Sequence, residues 1–270
     1  MYENVQETVR FLKEKTGAKP RVGIILGSGL GNLGSHIEIE STINYSEIPH
    51  FPVSTVKGHK GRLIFGKLGG KDIVAMQGRF HYYEGWTMEQ LTFPVRVLKF
   101  LGIELLVLSN AAGGMNPGFN IGDIMLINDQ INLFPDNPLM GANDDRFGPR
   151  FPDMSEIYSK EIITKALLVA KENNIEVKEG VYVGTPGPTF ETPAEYRYFR
   201  IIGGDAVGMS TVPEAIVARH MGLPCFAVSV ITDLGIAGQV ETVSHEEVLA
   251  AANAAEPKLT TIISGIIEKL

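Results

Sequence analysis

Gly27-Ser28-Gly29 directly follows the apolar run Val22-Gly23-Ile24-Ile25-Leu26, and its residue types suit the holding of an oxyanion. Glycines accept positive φ and leave their amides uncovered, while the serine adds a hydroxyl donor. Such a turn fits a phosphate; a sharp strand-to-loop turn with no ligand is equally consistent with these three residues alone. Gly29, Gly31 and Gly34 also match the spacing of a dinucleotide-binding fingerprint. That fingerprint should open a helix, yet Ile37 and Ile39 alternate with His36, Glu38 and Glu40 as in an extended segment. The phosphate loop of nucleotide triphosphatases is missing too, because no Gly-Lys-Ser/Thr follows the glycines.

Arg79 and His81 stand two residues apart, so on an extended backbone both face the same side. A guanidinium offers a bidentate fork to phosphate, and a histidine adds a donor. His59, between Gly58 and Lys60, can supply another. Each alone is more often a packing or surface residue; with the glycine turn they make a small-anion site. Phe190-Glu191 sets an aromatic face beside a carboxylate, a pair suited to a flat, hydrogen-bonding heterocycle, or simply a core Phe beside a surface Glu. Met209, in Gly208-Met209-Ser210, is equally consistent with core packing.

These residues need a scaffold, and the hydrophobic pattern supplies one. Val5, Val9 and Leu12 recur at helical spacing before Gly17, and residues 22–26 read as a buried strand. Residues 62–68 and 72–76 flank Gly69-Gly70 as a hairpin. Thr87 and Gln90 form a capping box for a helix ending near Gly102, and Leu105-Leu106-Val107-Leu108 reads as a central strand. Strands are also expected at 124–127, 181–183 and 226–231, and a helix at 155–170. Thr192-Pro193-Ala194-Glu195 gives a capping box with Pro at the first helical position, and Thr211-Val212-Pro213-Glu214 repeats it. Ser244-His245-Glu246-Glu247 opens a long last helix. The alternation predicts an α/β fold: a single domain over residues 1–270, with a central mixed, twisted sheet flanked by helices. Ligands of such sheets lie beyond the carboxyl ends of strands. That rule selects residues 27–29, 78–81, 109–114, 205–210 and 232–233 as loops of interest. The polar stretch 132–153 is long for a plain connection and reads as a functional or subunit-contact loop.

A chain of 270 residues with 44% hydrophobic and 20% charged residues is ordinary for a globular protein. Its net charge of −7 argues against general nucleic-acid affinity. Cys225 is the only cysteine, which rules out an internal disulfide and predicts a buried thiol in a reducing compartment. Met1-Tyr2-Glu3-Asn4 lacks the features of an export signal, and no apolar run is long enough for a bilayer. The expectation is a cytoplasmic protein with no membrane partner.

Read together, the motifs carry a resemblance. The sequence resembles the trimeric, low-molecular-mass class of purine nucleoside phosphorylases, of the inosine/guanosine type. The matching stretches are Gly27-Ser28-Gly29-Leu30-Gly31, Gly58-His59, Gly78-Arg79-Phe80-His81-Tyr82-Tyr83-Glu84-Gly85, Asn110-Ala111-Ala112-Gly113-Gly114, Gly187-Pro188-Thr189-Phe190-Glu191-Thr192 and Gly208-Met209-Ser210-Thr211-Val212-Pro213-Glu214. They follow in family order over nearly the whole chain. The resemblance implies that Ser28, His59, Arg79, His81, Ala111 and Ser210 surround phosphate, and that Tyr83, Met209 and His245 hold the ribose. It implies that Ala111, Phe190, Glu191, Val207, Met209 and Asp233 frame the base, with His81, Glu191 and Asp233 in catalytic roles. Phe151 resembles the aromatic residue that the family lends across the subunit interface, which implies a homotrimer.

The implied reaction is phosphorolysis of a purine (deoxy)ribonucleoside, with inorganic phosphate as co-substrate and no metal or organic cofactor. Water in place of phosphate would make the chain a nucleoside hydrolase, and a purine-binding protein without turnover is a further alternative. One position departs from the family pattern. Thr232-Asp233-Leu234 carries Asp where the 6-oxopurine-specific members usually have Asn. An ionised Asp cannot donate to O6 or N7, whereas it suits a 6-amino group. The expected consequence is an inosine/guanosine enzyme with widened tolerance for adenosine.

Overall fold

A computed structural model describes residues 1–53, 60–236 and 242–270. Helix α1 (Tyr2–Thr16) buries Val5, Val9 and Leu12 along one stripe and stops at Gly17, whose left-handed φ of 63° caps it. Strand β1 (Val22–Leu26) is buried throughout. The glycines after it open no α-helix: residues Gly31–Ser35 make one 3-10 turn, and β2 (Glu38–Asn44) follows. The dinucleotide fingerprint therefore fails on the ground its alternation suggested. Strands β3 (Arg62–Leu68) and β4 (Lys71–Gln77) form the expected hairpin around Gly69 and Gly70, both at positive φ.

Helix α2 (Met88–Leu101) starts on the Thr87–Gln90 capping box and ends at Gly102. Strand β5 (Leu105–Gly114) is longer than its apolar run and absorbs residues 109–114, expected as a loop. Those residues stay extended because β9 pairs alongside them, Asn110 opposite Ser229 and Ala111 opposite Val230. Strand β6 (Ile124–Asn132) comes next, and residues 133–159 then run without helix or strand. Helix α3 (Lys160–Glu172) begins five residues later than expected. Asp153 takes the amide and hydroxyl of Ser155 as hydrogen-bond donors, which leaves Ser159 as the N-cap.

The remaining elements are β7 (Val177–Gly184), α4 (Pro193–Ile201), β8 (Ala206–Gly208), α5 (Val212–His220), β9 (Cys225–Leu234) and α6 (His245–Glu268). Residues 206–208 and 232–233, both expected as loops, are thus strand. Thr192 caps α4 with Glu195, and Ser244 caps α6 with Glu247, each in a complete capping box.

Among the described residues, nine strands form one mixed sheet in the order β2-β3-β4-β1-β5-β8-β7-β6-β9, and β9 also pairs with β5. The first part is an open wing. The second closes on itself as a ring of β5, β8, β7, β6 and β9, a closure that the expectation of a simple sheet did not contain. Helices α1, α2 and α5 pack together, as do α3 and α6, and the two groups flank the sheet. Cys225 is buried, and burial pushes its thiol pKa well up. No helix among the described residues is long and apolar enough to cross a membrane.

Candidate active site

A cavity of about 550 Å³ opens where the ends of β1, β5, β8 and β9 meet the start of α6. Twelve of the residues singled out above line it, drawn from segments spread between residues 28 and 245. Ser28, Arg79, His81, Ala111 and Ser210 from the expected anion set are there, as are Tyr83, Met209 and His245 from the sugar set. So are Phe190, Glu191, Val207 and Asp233 from the base set. Phe151 does not line the cavity of its own chain and is 88% exposed. His59 lies outside the described residues.

The glycine turn is forced by its neighbours. Leu30 donates its amide to the Gly27 carbonyl at 3.2 Å, placing Ser28 and Gly29 at the centre of the turn. A Cβ on Gly27 would meet the Ser109 carbonyl at 2.6 Å. Gly29 has a φ of 73°, and a Cβ there would meet the Ala252 side chain of α6 at 2.7 Å. Both positions therefore need glycine, one for space and one for space and conformation.

Arg79 is 1% exposed, and its surroundings account for a cation at that depth. Nε donates to Glu214 Oε1 at 2.9 Å, and Nη1 donates to the Ser109 carbonyl at 2.7 Å and reaches Ser210 Oγ at 3.4 Å. Paired on one edge, the guanidinium is fixed beside the cavity. This corrects the reading of Thr211-Val212-Pro213-Glu214 as a capping box. Thr211 makes no side-chain cap, and Glu214 serves Arg79 instead. Thr211 has φ 70° and ψ −53°, and the Val212 amide donates to the Ser210 carbonyl at 2.7 Å. That is a γ-turn of the rarer, strained hand, unusual for a β-branched residue. Asn110 Nδ2 donates to Thr211 Oγ1 at 2.9 Å and holds the turn. Strain of this kind gathers at functional sites, here next to Ser210.

His81 owes its orientation to Glu84. The carboxylate accepts from the His81 amide at 2.8 Å and lies 3.1 Å from Nδ1. This contact turns the other ring nitrogen into the role of second donor or acceptor. The His81 and Tyr83 rings stack, with centroids 4.8 Å apart and planes at 16°. Met209 presses on Gly187, where a Cβ would collide with its sulfur. His245 is the first residue of α6, set by the Ser244 cap.

The base set holds two carboxyl groups. Asp233 is 6% exposed, Oδ1 accepts from the Thr232 hydroxyl at 2.9 Å, and Oδ2 accepts from Tyr196 at 3.0 Å. Burial raises its pKa, and those two hydrogen bonds pull it part of the way back. Burial pushes Glu191 up to about 7; its own amide opposes that shift, and the Asp233 charge adds to it. Phe190 remains 42% exposed at the mouth. Among the described residues, no group of three or more His, Cys, Asp or Glu side chains is placed to hold a metal ion.

Sequence reasoning gave no site role to Glu84, Asn110, Glu214 or Tyr196. Glu84 follows His81 at the three-residue spacing of a capping box, a signal that was available. Glu214 carried a misleading signal, and Tyr196 carried none.

The chain is similar to known proteins in both sequence and fold. The phosphorylase superfamily pattern matches residues 21–268. Purine nucleoside phosphorylase 1 of Geobacillus stearothermophilus is 49% identical over 266 residues, covering 98% of this chain and 97% of that protein. The crystal structure of Schistosoma mansoni purine nucleoside phosphorylase in complex with adenosine is similar at a TM-score of 0.95 and 42% identity, over 99% of this chain and 97% of that one. A schistosoma purine nucleoside phosphorylase in complex with hypoxanthine is similar at 0.94 and 42%, over the same shares. The chain belongs to the low-molecular-mass purine nucleoside phosphorylases, within the phosphorylase superfamily.

Proposed function

We propose that this cavity carries out the reversible phosphorolysis of purine nucleosides to free base and α-(deoxy)ribose 1-phosphate. The observation that carries the reading is a single cavity lined both by a buried guanidinium with hydroxyls and by two carboxyl groups beside an aromatic ring. Arg79, Ser28, Ser210, His81 and the Ala111 amide bind phosphate, with His59 as a further donor. Tyr83, Met209 and His245 hold the sugar so that C1′ faces that phosphate. Phosphate attacks C1′ from the side opposite the purine and inverts it. Positive charge grows on the sugar and negative charge on the departing base, so the anion helps the first and a proton donor at the base helps the second.

Glu191 accepts from N1–H of a 6-oxopurine, and Asp233 meets the 6-position and N7. Val207, Met209 and Phe190 pack on the ring. Phosphate is itself the nucleophile, so the reaction needs no organic cofactor or metal. The whole chain, residues 1–270, works as one phosphorylase domain in the cytoplasm. The nearly full exposure of Phe151, on the long segment between β6 and α3, supports a homotrimer in which it covers a neighbour's cavity.

The test is release of base from inosine, guanosine, adenosine, xanthosine and methylthioadenosine, with and without phosphate. Release that stops when phosphate is omitted supports the reading. Release that continues makes the chain a hydrolase, and nucleoside binding without release makes it a binding protein.

A further inference from the structure

Tyr196 does not line the cavity, yet it touches the group on which base choice turns. It lies in the first turns of α4, whose start is set by the Thr192–Glu195 box and by the Tyr196 amide donating to the Thr192 carbonyl at 3.1 Å. The ring is 3% exposed and fits a slot made by two glycines. A Cβ on Gly235 would collide with the ring itself, and a Cβ on Gly113 would lie 3.1 Å from the phenol oxygen and 2.9 Å from Asp233 Oδ2. The phenol is thus placed from both sides, with its oxygen 3.0 Å from Asp233 Oδ2. Glu191 also reaches this hydroxyl.

A phenol has one proton to give. Directed at Asp233, it leaves that carboxylate receiving one hydrogen bond on each oxygen, from Tyr196 on Oδ2 and from Thr232 on Oδ1. Hydrogen bonds donated to a carboxylate favour its charged form, which only accepts. An acceptor at the purine 6-position pairs with an exocyclic amine and opposes a carbonyl.

Resting on the base-binding role given to Asp233 above, we infer that Tyr196 is a specificity-determining positioning residue. From behind the cavity wall its hydroxyl holds Asp233 as an acceptor toward the base, and so admits 6-amino purine nucleosides alongside 6-oxo ones.

The experiment measures kcat/KM for adenosine and inosine at saturating phosphate in four proteins: wild type, Tyr196→Phe, Asp233→Asn and the double variant. Binding of free adenine and free hypoxanthine is measured by calorimetry in the same four. Tyr196→Phe lowers the adenosine-to-inosine ratio about tenfold, the worth of one hydrogen bond to a charged group, mainly through KM for adenosine. With Asn at 233 the same substitution leaves the ratio where it stands. A ratio unchanged in Tyr196→Phe, with both substrates falling together, overturns the inference. So does a change of equal size in the Asp233→Asn background. A wild type without phosphate-dependent release overturns the phosphorolysis reading instead, and the adenine-to-hypoxanthine binding ratio still decides the role of Tyr196.

Discussion

Two clusters of charge share one cavity and are built on opposite plans. Around Arg79 the cation is matched inside the protein: Glu214 takes one edge, the Ser109 carbonyl another nitrogen, and Asn110 pins the strained turn beside Ser210. Around Asp233 two carboxyl groups, Glu191 and Asp233, face each other with hydroxyls for company, and both are shifted toward the protonated form. The first arrangement is fixed in shape, as befits a partner that never changes. The second can alter its pattern of donors and acceptors by moving a proton at Glu191, as befits a partner that varies between nucleosides.

The largest expected effect comes from breaking the fixed cluster. Arg79→Met leaves Glu214 buried without its cation and destabilises the fold by about 3–5 kcal/mol. Adding Glu214→Gln recovers most of that stability but not activity, which stays about a hundredfold or more below wild type. Urea unfolding and phosphate-dependent kcat/KM on the single and double variants separate the two losses.

Asp233→Asn sharpens the contrast next. Its carboxamide donates to a 6-oxopurine, so the inosine-to-adenosine ratio of kcat/KM rises about tenfold or more. An unchanged ratio would show that Asp233 does not discriminate between bases.

Titration should divide the two substrates. The Glu191 carboxylate suits the N1–H of inosine, whereas adenosine presents an acceptor at N1 and needs Glu191 protonated. With Glu191 at about 7, kcat/KM for inosine rises as pH passes through about 7, and that for adenosine falls. Asp233 and Glu195 act on this carboxyl through their charge, while Tyr196 and the Thr185 hydroxyl face it as hydrogen-bond donors. Both slopes vanish in Glu191→Gln if this carboxyl is their source; slopes that persist assign them to another group.

The same carboxyl predicts a smaller change in stability. Its folded-state pKa lies above the ordinary value of 4.5, so the folded protein holds the extra proton between about 4.5 and 7. Stability from this group is complete below that window and is lost as pH rises through it. Glu191→Gln therefore stabilises the protein at pH 8, by about 2 kcal/mol or less, relative to its effect at pH 4. Thermal melts at both values check the sign.

Much of the scaffold was legible in the sequence because the signals are local. The Thr87, Thr192 and Ser244 boxes, the Gly17 and Gly102 stops and the Gly69-Gly70 hairpin depend on residues a few positions apart. Twelve of the residues that the family resemblance singles out line the cavity, because motifs far apart in the chain end on neighbouring strands. What failed was non-local. Thr211 and Glu214 have the spacing of a cap, but Arg79, 135 residues away in the chain, claims the carboxylate. Residues 109–114 look like a loop because glycine and alanine carry no strand pattern, and only pairing with β9 keeps them extended. Tyr196 reads as one more aromatic on a helix, since its importance comes from Asp233 lying across the fold.

The closure of the ring bears on how the protein is made. Leu106 pairs with Cys225 and Asn110 with Ser229, so β5 leaves the ribosome long before the strand that completes its pairing there. Until β9 arrives, a buried apolar strand has an open edge, the kind of edge that joins other chains. The Ser109 carbonyl that receives Arg79 and the Ala111 wall of the cavity belong to that same strand. Synthesis therefore delivers the catalytic pocket late and all at once. A chain halted before β9 is a candidate for aggregation, not a partly active enzyme.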